Sequence, residues 1–223
     1  MGETTLEVTN LHVWRGQQYI LQGINLSACR GELVCLKADD HQIRRDALHG
    51  LMGIGAKREG SVRVHNIESV HLDVLAMGNL GVNYCSKTTG VVRNLSCEEN
   101  LLLPLTNMGM GGGLPLGEIY SLLPMLKLNK DVPAVRLPPG EQHLLAVARA
   151  LRGGADLLLI DDLFTGVAPV IQKSAFALLE TLKERGYTLI LAENSSEELL
   201  PLTDRCYHLH DGLLFDERIP LSC

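Results

Sequence analysis

The chain has 223 residues, of which 46% are hydrophobic and 4% are aromatic. This length suits one α/β domain with a small insertion, and the composition predicts a core built mostly from Leu, Val, Ile and Ala. The formal net charge of −6 argues against nucleic acid as a partner. No apolar run approaches the ~20 residues that a membrane-spanning helix needs.

Six cysteines are scattered through the sequence, and none forms a C-x-x-C pair, which argues against a structural zinc site. Their scatter predicts free thiols in a reducing compartment. The eight histidines show no metal-ligand spacing along the chain. His208 and His210 alternate on a predicted strand, and we interpret them as structural residues.

The pattern of apolar residues and turn signals predicts strands that alternate with helices. In chain order, the predicted elements are strands 6–14, 19–28 and 32–37, helix 42–52, strands 61–64 and 81–85, helices 95–103 and 140–151, strand 156–160, helix 169–183 and strand 187–192. Gly53 ends the first helix, and Ser96 with Glu99 forms a capping box at the second. The alternation predicts a mostly parallel sheet.

A glycine-rich segment at residues 108–113 reads Met-Gly-Met-Gly-Gly-Gly. A phosphate-binding loop would follow a strand and continue into Gly-Lys-Ser/Thr, and this segment does neither. We therefore predict a surface loop here.

Two segments in the second half of the chain carry the most information about function. Residues 137–142 read Leu-Pro-Pro-Gly-Glu-Gln and lead into a predicted helix. Residues 157–162 read Leu-Leu-Leu-Ile-Asp-Asp, an apolar strand typical of a parallel sheet covered on both faces, followed by two acids. Together they resemble the signature motif, Leu-Ser-Gly-Gly-Glu-Gln, and the Walker B strand of the ATP-binding cassette (ABC) ATPases.

The resemblance covers essentially the whole chain and implies a fold. It predicts one α/β domain over residues 1–223, a P-loop NTPase-like ABC domain with a mostly parallel sheet, an antiparallel β subdomain and a small helical subdomain. The core is expected at residues 1–87 and 156–223, and the helical subdomain at about 88–155.

Short stretches resemble two different subfamilies. The Gly-Val-Ala-Pro turn at 166–169 and residues 98–101 are similar to ATPase subunits of branched-chain amino acid importers. Residues 100–105 resemble lipid-transport ATPases, so the substrate class stays open.

The family's phosphate loop supplies backbone N–H groups from glycines, a lysine for the β- and γ-phosphates and a hydroxyl for Mg²⁺. Counting on from a Gly-Glu turn at 31–32 places the corresponding loop on Ala38, Asp39, Asp40, His41, Gln42, Ile43, Arg44 and Arg45. We interpret these residues as a degenerate phosphate loop, because none of the required residue types is present.

The replacements in this loop work against phosphate binding. Ile43 tolerates positive φ poorly, and Asp39 and Asp40 bring negative charge towards a polyanion. Arg44 stands in place of the lysine, and Arg45 places a cation where the hydroxyl should bind Mg²⁺.

Asp161 corresponds to the Walker B aspartate and is the candidate metal ligand. We expect Arg44 and Arg45 to pair with Asp161 and neighbouring carboxylates, so that the site is neutral without nucleotide. Asp162 replaces the catalytic glutamate and is one methylene shorter, and Asn194 replaces the switch histidine and cannot act as a base. Both are degenerate catalytic positions that we expect to be inactive.

The remaining family positions have changed as well. The candidates for a degenerate signature are Pro138, Pro139, Gly140, Glu141 and Gln142. The two prolines remove backbone donors and a hydroxyl from a helix start that should face the partner's γ-phosphate, although proline is harmless to the helix itself. Lys87 lies where the family has a glutamine, and Arg15 lies where it has the aromatic residue that stacks on adenine.

The resemblance implies a degenerate (pseudo-ATPase) nucleotide-binding-domain subunit of an ABC transporter, which pairs with an intact second ATPase subunit and docks on membrane permease subunits. It would be cytoplasmic, on the inner face of the membrane, without independent ATPase activity. No nucleotide is expected on its own loop, whereas ATP and Mg²⁺ would bind at the partner's loop. Two alternatives stay open: a slow but genuine transport ATPase, and a non-transport regulatory or interaction module on the same scaffold.

Overall fold

Strands and helices alternate along most of the chain. The computed structural model describes residues 2–87, 89–103, 112–194 and 199–217. In these ranges the elements are β1 (Thr4–Arg15), β2 (Gln18–Cys29), β3 (Leu33–Lys37), α1 (His41–Met52), β4 (Lys57–Val64), β5 (Ile67–Glu68), α2 (Val74–Asn79), β6 (Val82–Cys85), α3 (Cys97–Leu102), α4 (Leu116–Leu122), α5 (Pro124–Leu128), α6 (Pro139–Arg152), β7 (Leu157–Asp161), α7 (Pro169–Glu184), β8 (Thr188–Ala192), β9 (Arg205–His210) and β10 (Leu213–Glu217).

The strands of the described residues form two sheets. One has six strands in the order β10-β9-β3-β8-β7-β6, and all its neighbouring strands are parallel except β9 and β10. The other has four antiparallel strands in the order β2-β1-β4-β5. The predicted mostly parallel sheet and antiparallel β subdomain are therefore confirmed. Because the carboxyl ends of parallel strands meet at one edge, the segments that follow β3, β7 and β8 lie close together.

The six-stranded sheet is buried on both faces. On β7, Leu158 and Ile160 pack in the core shared with α6 and α7, whereas Leu157 and Leu159 pack in the core shared with α1 and the antiparallel sheet. None of these four side chains is more than 1% exposed, and burying each contributes about 1.5–3 kcal/mol. Burial on both faces explains why β7 is a continuous apolar run.

The helices α3, α4, α5 and α6 lie between β6 and β7, inside the segment 88–155 that is predicted to be helical. The domain limits themselves stay a prediction. Of the predicted surface loop, residues 108–111 lie outside the described residues, and Gly112 and Gly113 have no regular secondary structure. In the part of the chain that the structure describes, no helix is both long and apolar enough to cross a bilayer.

Strand β4 begins at Lys57, four residues before the predicted strand, because its first residues are charged and hide the strand pattern. Arg58 is nevertheless only 9% exposed. Its guanidinium donates hydrogen bonds to the backbone oxygens of Leu51 at 3.0 Å and Leu72 at 2.7 Å. The elements β5, β10, α2, α4 and α5 also have no predicted counterpart.

The described cysteines are free thiols, as predicted: Cys29, Cys35, Cys85, Cys97 and Cys206. All except Cys29 are buried. Cys223 lies outside the described residues.

The predicted capping box at the start of α3 is confirmed. The Ser96 hydroxyl accepts a hydrogen bond from the Glu99 backbone N–H at 3.1 Å, and the Glu99 carboxylate accepts one from the Ser96 backbone N–H at 2.7 Å. Two N–H groups that would otherwise lack partners are thus satisfied, which fixes where α3 begins.

Helix α6 and the segment before α7 approach each other closely at Gly140. A Cβ atom at this position would lie 2.6 Å from Val167 Cγ1 and 3.1 Å from Ile171 Cγ2. Both distances are too short for ordinary van der Waals contact, so packing by itself favours glycine at this position.

We expect Gly140→Ala to lower the free energy of unfolding by about 1–3 kcal/mol, because the added methyl overpacks this contact. The matched control is Gly117→Ala in α4, where an added Cβ meets no atom within 4 Å. The control should be neutral or more stable by up to about 1 kcal/mol, since alanine favours helix. Urea unfolding measures both, and equal stabilities of the two variants would contradict the packing account.

Candidate functional site

The connection between β3 and α1 is short, at the edge where the parallel strands end. Residues 38–40 alone separate the two elements, and the Asp40 side chain caps α1 by accepting a hydrogen bond from the Gln42 backbone N–H at 2.8 Å. The other five residues of the predicted phosphate loop, 41–45, are therefore helical. Between Gly31 and Gly53, a stretch described throughout, no residue has a positive φ. The left-handed turns that help to form a concave anion nest are absent from this segment.

Arg44 points into the site and is only 4% exposed. Its Nη1 donates to the backbone oxygen of Ala38 at 2.5 Å and to the side-chain oxygen of Asn194 at 2.9 Å. In the described residues it forms no ion pair, so the expected pairing of Arg44 with Asp161 is not seen. The guanidinium instead links the residue after β3, Ala38, to Asn194, which lies two residues after β8.

Arg45 forms the expected pair with the Walker B position. Its Nε lies 3.0 Å from Asp161 Oδ2, and the Tyr84 hydroxyl donates to the same oxygen at 3.0 Å. The Asp161 side chain is only 2% exposed. The hydrogen bond from Arg45 to Asp161 raises the pKa of the guanidinium, and burial followed by the nearby Asp161 charge raises the pKa of the Tyr84 hydroxyl. One carboxylate oxygen of Asp161, Oδ2, is thus held by two donors.

A second ion pair involves the position of the catalytic glutamate. Lys87 Nζ lies 2.9 Å from Asp162 Oδ2 and also donates to the backbone oxygen of Thr165. Burial opposes ionisation of Asp162, but the hydrogen bonds from Lys87 and Thr165 outweigh it and lower the pKa of this carboxyl. Asp162 has φ +57°, a left-handed conformation that aspartate tolerates.

Glu193 belongs to this site although the sequence analysis did not single it out. Its carboxylate accepts hydrogen bonds from the Phe164 backbone N–H at 2.9 Å and the Thr165 hydroxyl at 3.5 Å. Burial raises its pKa. The signal was available, since Glu193 follows the apolar strand β8 just as Asp161 ends the apolar strand β7.

In the predicted signature segment, residues 137–142, the polar side chains form hydrogen bonds within the protein. Pro138 and Pro139 open α6 without a side-chain cap. Glu141 accepts a hydrogen bond from the Asn129 side chain at 2.8 Å, and the Gln142 side chain donates to the Leu137 backbone oxygen at 2.8 Å. The prolines are compatible with the helix, as expected.

Arg15 contacts α1, and its role in stacking on a base stays a prediction. It forms an ion pair with Asp46 and a hydrogen bond of 3.1 Å with His49 Nδ1, both on α1. Trp14 instead stacks on Tyr19, with ring centroids 4.8 Å apart. Arg15 therefore holds β1 against α1.

Together, these residues do not form a site that suits Mg²⁺ and a nucleoside triphosphate. The backbone offers no nest, Asp161 is neutralised by Arg45, and the exposed Asp39 and Asp40 lie at the entrance to α1. The site brings together Arg44, Arg45, Asp161, Asp162, Lys87 and Asn194. Their catalytic and binding roles stay predictions.

The sequence is similar to ATP-binding subunits of transporters. It is 28% identical over 215 residues, covering 93% of this chain and 89% of the relative, to the high-affinity branched-chain amino acid transport ATP-binding protein BraG of Pseudomonas aeruginosa. It is 22% identical over 198 residues, covering 88% and 82%, to the lipopolysaccharide export system ATP-binding protein LptB of Acidithiobacillus ferridurans. No protein-family model matches the chain.

The fold is that of solved ATP-binding cassettes. The cassette MJ0796, in a dimeric post-hydrolysis state with ADP and phosphate, has a TM-score of 0.81 at 20% identity, covering 97% of this chain and all of that one. A nucleotide-free cassette has a TM-score of 0.80 at 21% identity, covering 95% and 90%. The chain is related to the ATP-binding cassettes of ABC transporters. The predicted fold class and family resemblance of this cassette are thus confirmed.

We expect Arg45→Met to lower the free energy of unfolding by about 1–3 kcal/mol, because it leaves the buried Asp161 carboxylate with Tyr84 as its remaining described donor. Adding Asp161→Asn to that variant should recover part of the loss. Urea unfolding of both single variants and the double variant gives the coupling energy. Arg136→Met, at an exposed position, is the control, and strictly additive effects of Arg45 and Asp161 would contradict the pair.

His143, on α6, gives a prediction for pH dependence. Its side chain is fully buried, and burial lowers its pKa from 6.5 to about 4. As pH falls below 6.5, this histidine is protonated in the unfolded chain but stays neutral in the folded chain until about pH 4. The free energy of unfolding therefore falls between pH 6.5 and 4, by at most roughly 3 kcal/mol. His143→Leu should remove this part of the slope in urea unfolding between pH 7 and 4.5. The exposed His41→Leu is the control, and identical slopes for wild type and His143→Leu would refute the prediction.

Proposed function

We propose that this cassette is a pseudo-ATPase subunit of an ABC transporter, which pairs with an intact cassette and docks on a membrane permease. The observation that carries the proposal is the Arg45–Asp161 pair, in which a guanidinium occupies an oxygen of the candidate metal ligand. The protein would be peripheral, on the inner face of the membrane.

The free-energy cost of breaking contacts within the site supports weak nucleotide binding. A triphosphate would have to displace the buried contact of Arg44 with Ala38 and the partly buried pair of Arg45 with Asp161, and it would meet a helix start without left-handed turns. Micromolar affinity corresponds to about −8 kcal/mol, and every 1.4 kcal/mol lost weakens binding about tenfold. Leaving Asp161 without its cation costs about 1–3 kcal/mol by itself.

The relatives support the choice of partners. BraG and LptB are named as the ATP-binding proteins of an amino acid transport system and a lipopolysaccharide export system, and the solved MJ0796 cassette is dimeric. In a pair of this kind, the partner's intact loop would face residues 137–142 of this chain. That composite site is the one we propose to hydrolyse ATP.

Isothermal titration of the purified chain with MgATP tests the binding part of the proposal. We expect no saturable heat at micromolar nucleotide, with an intact cassette as the positive control. The paired substitution Arg44→Lys with Arg45→Ser should not restore binding, because the backbone between β3 and α1 still lacks a nest. Micromolar affinity in the wild-type chain would overturn the proposal.

Phosphate release from the co-purified transporter tests the catalytic part. We expect Asp162→Ala in this chain to leave most of the activity and mutation of the partner's catalytic glutamate to abolish it. The opposite pattern would identify this chain as a slow but genuine ATPase. Purification as a stable lone monomer, without permease or second cassette, would contradict the transport assignment.

A further inference from the structure

Three potential metal ligands meet beside the connection between β3 and α1. One ligand atom each from Asp39, His208 and His210 lie within 4.8 Å of one another. Asp39 and His210 are exposed and His208 is half-buried. This group does not include Asp161, although Asp39 also belongs to the predicted phosphate loop.

The sheet register explains why these residues meet. Strand β9 pairs in parallel with β3, and Lys37 lies opposite His208. Side chains two residues apart on a strand share a face, so His208 and His210 are neighbours. Asp39 is two residues beyond Lys37 and reaches the same end of β9.

We propose that Asp39, His208 and His210 form a binding site for a divalent transition-metal ion such as Zn²⁺, Co²⁺ or Ni²⁺. Two imidazoles and a carboxylate suit these ions, whereas Mg²⁺ prefers oxygen ligands. In a tetrahedral site with bonds of about 2.0–2.2 Å, ligand atoms are about 3.4 Å apart. The exposed side chains of Asp39 and His210 can close this difference by rotating about their χ angles.

Neighbouring carboxylates stand where they would orient both histidines. His208 Nδ1 lies 3.4 Å from Glu217 Oε1, and His210 Nε2 lies 3.4 Å from Asp211 Oδ2. Metal-bound histidines commonly donate their second ring N–H to a carboxylate, which fixes the ring and the tautomer. Each ring has a second nitrogen, which could bind the ion.

The local charge also suits a cation. Lys37 is the basic side chain on the same face of β3, and its Nζ lies 2.7 Å from Glu217 Oε2, so its charge is compensated. Asp39 and Asp211 add negative charge. A bound ion would join residues 38–40 to β9 and so fix the connection that replaces the phosphate loop, with a fourth position open to water.

Titration of the full chain with Co²⁺, followed by visible absorption, tests the site. We expect one ion per chain, with the spectrum of nitrogen and oxygen ligands and without the intense near-ultraviolet band of cobalt–thiolate bonds. His208→Gln, His210→Gln and Asp39→Asn should each weaken binding at least about tenfold. Circular dichroism and urea unfolding check that each variant stays folded.

The matched control is His41→Gln. His41 is an exposed histidine two residues along the chain from Asp39, and its Nδ1 lies 3.5 Å from Asp40 Oδ1. It belongs to no cluster of three ligands among the described residues. This variant should bind Co²⁺ as the wild type does. No binding by the wild type, a thiolate spectrum, or equal loss with His41→Gln would each overturn the proposal.

Discussion

The ion pair between Arg45 and Asp161 joins the first turns of α1 to the end of β7. Asp161 is almost completely buried, and a buried carboxylate without a partner is strongly destabilising. Arg45 and Tyr84 supply the donors that make this position tolerable. Arg45 lies on α1, which begins at His41 and is separated from β3 by only three residues.

Neighbouring polar groups at this edge are also paired within the chain. Asp162 is matched by Lys87, and the Asn194 side chain accepts a hydrogen bond from Arg44. Asp161, Asp162 and Asn194 thus each have a partner within the chain, whereas the Nε of Arg44 is buried without a hydrogen-bond partner among the described residues. Because the carboxylates Asp161 and Asp162 have partners in the chain itself, we propose a subunit that does not hydrolyse ATP at this site.

The fold does not depend on this chemistry. Strand β7 is held by apolar contacts on both faces, and α6 is seated against α7 through Gly140. Proline at the start of α6 leaves the helix intact. A cassette can therefore keep its architecture while the residues at its edge change, since fold and function are specified by different positions.

Local signals made much of the fold predictable from the sequence. The apolar run of β7 and the Ser96–Glu99 box act through neighbouring residues, so the sequence alone indicates them. Pairing of Arg45 with Asp161 followed from opposite charges at family positions. Contacts between distant residues could not be read in this way: the partner of Arg44, the role of Arg15 on α1, and the meeting of Asp39 with the histidines of β9 depend on tertiary structure and register.

A crystal structure of this chain grown with magnesium and a non-hydrolysable ATP analogue tests the central claim most directly. The account predicts Arg45 still bound to Asp161, α1 beginning at His41, and no triphosphate between β3 and α1. Density for the analogue and Mg²⁺ against Asp161, with Arg45 turned away and residues 38–45 rearranged into a loop, would contradict it.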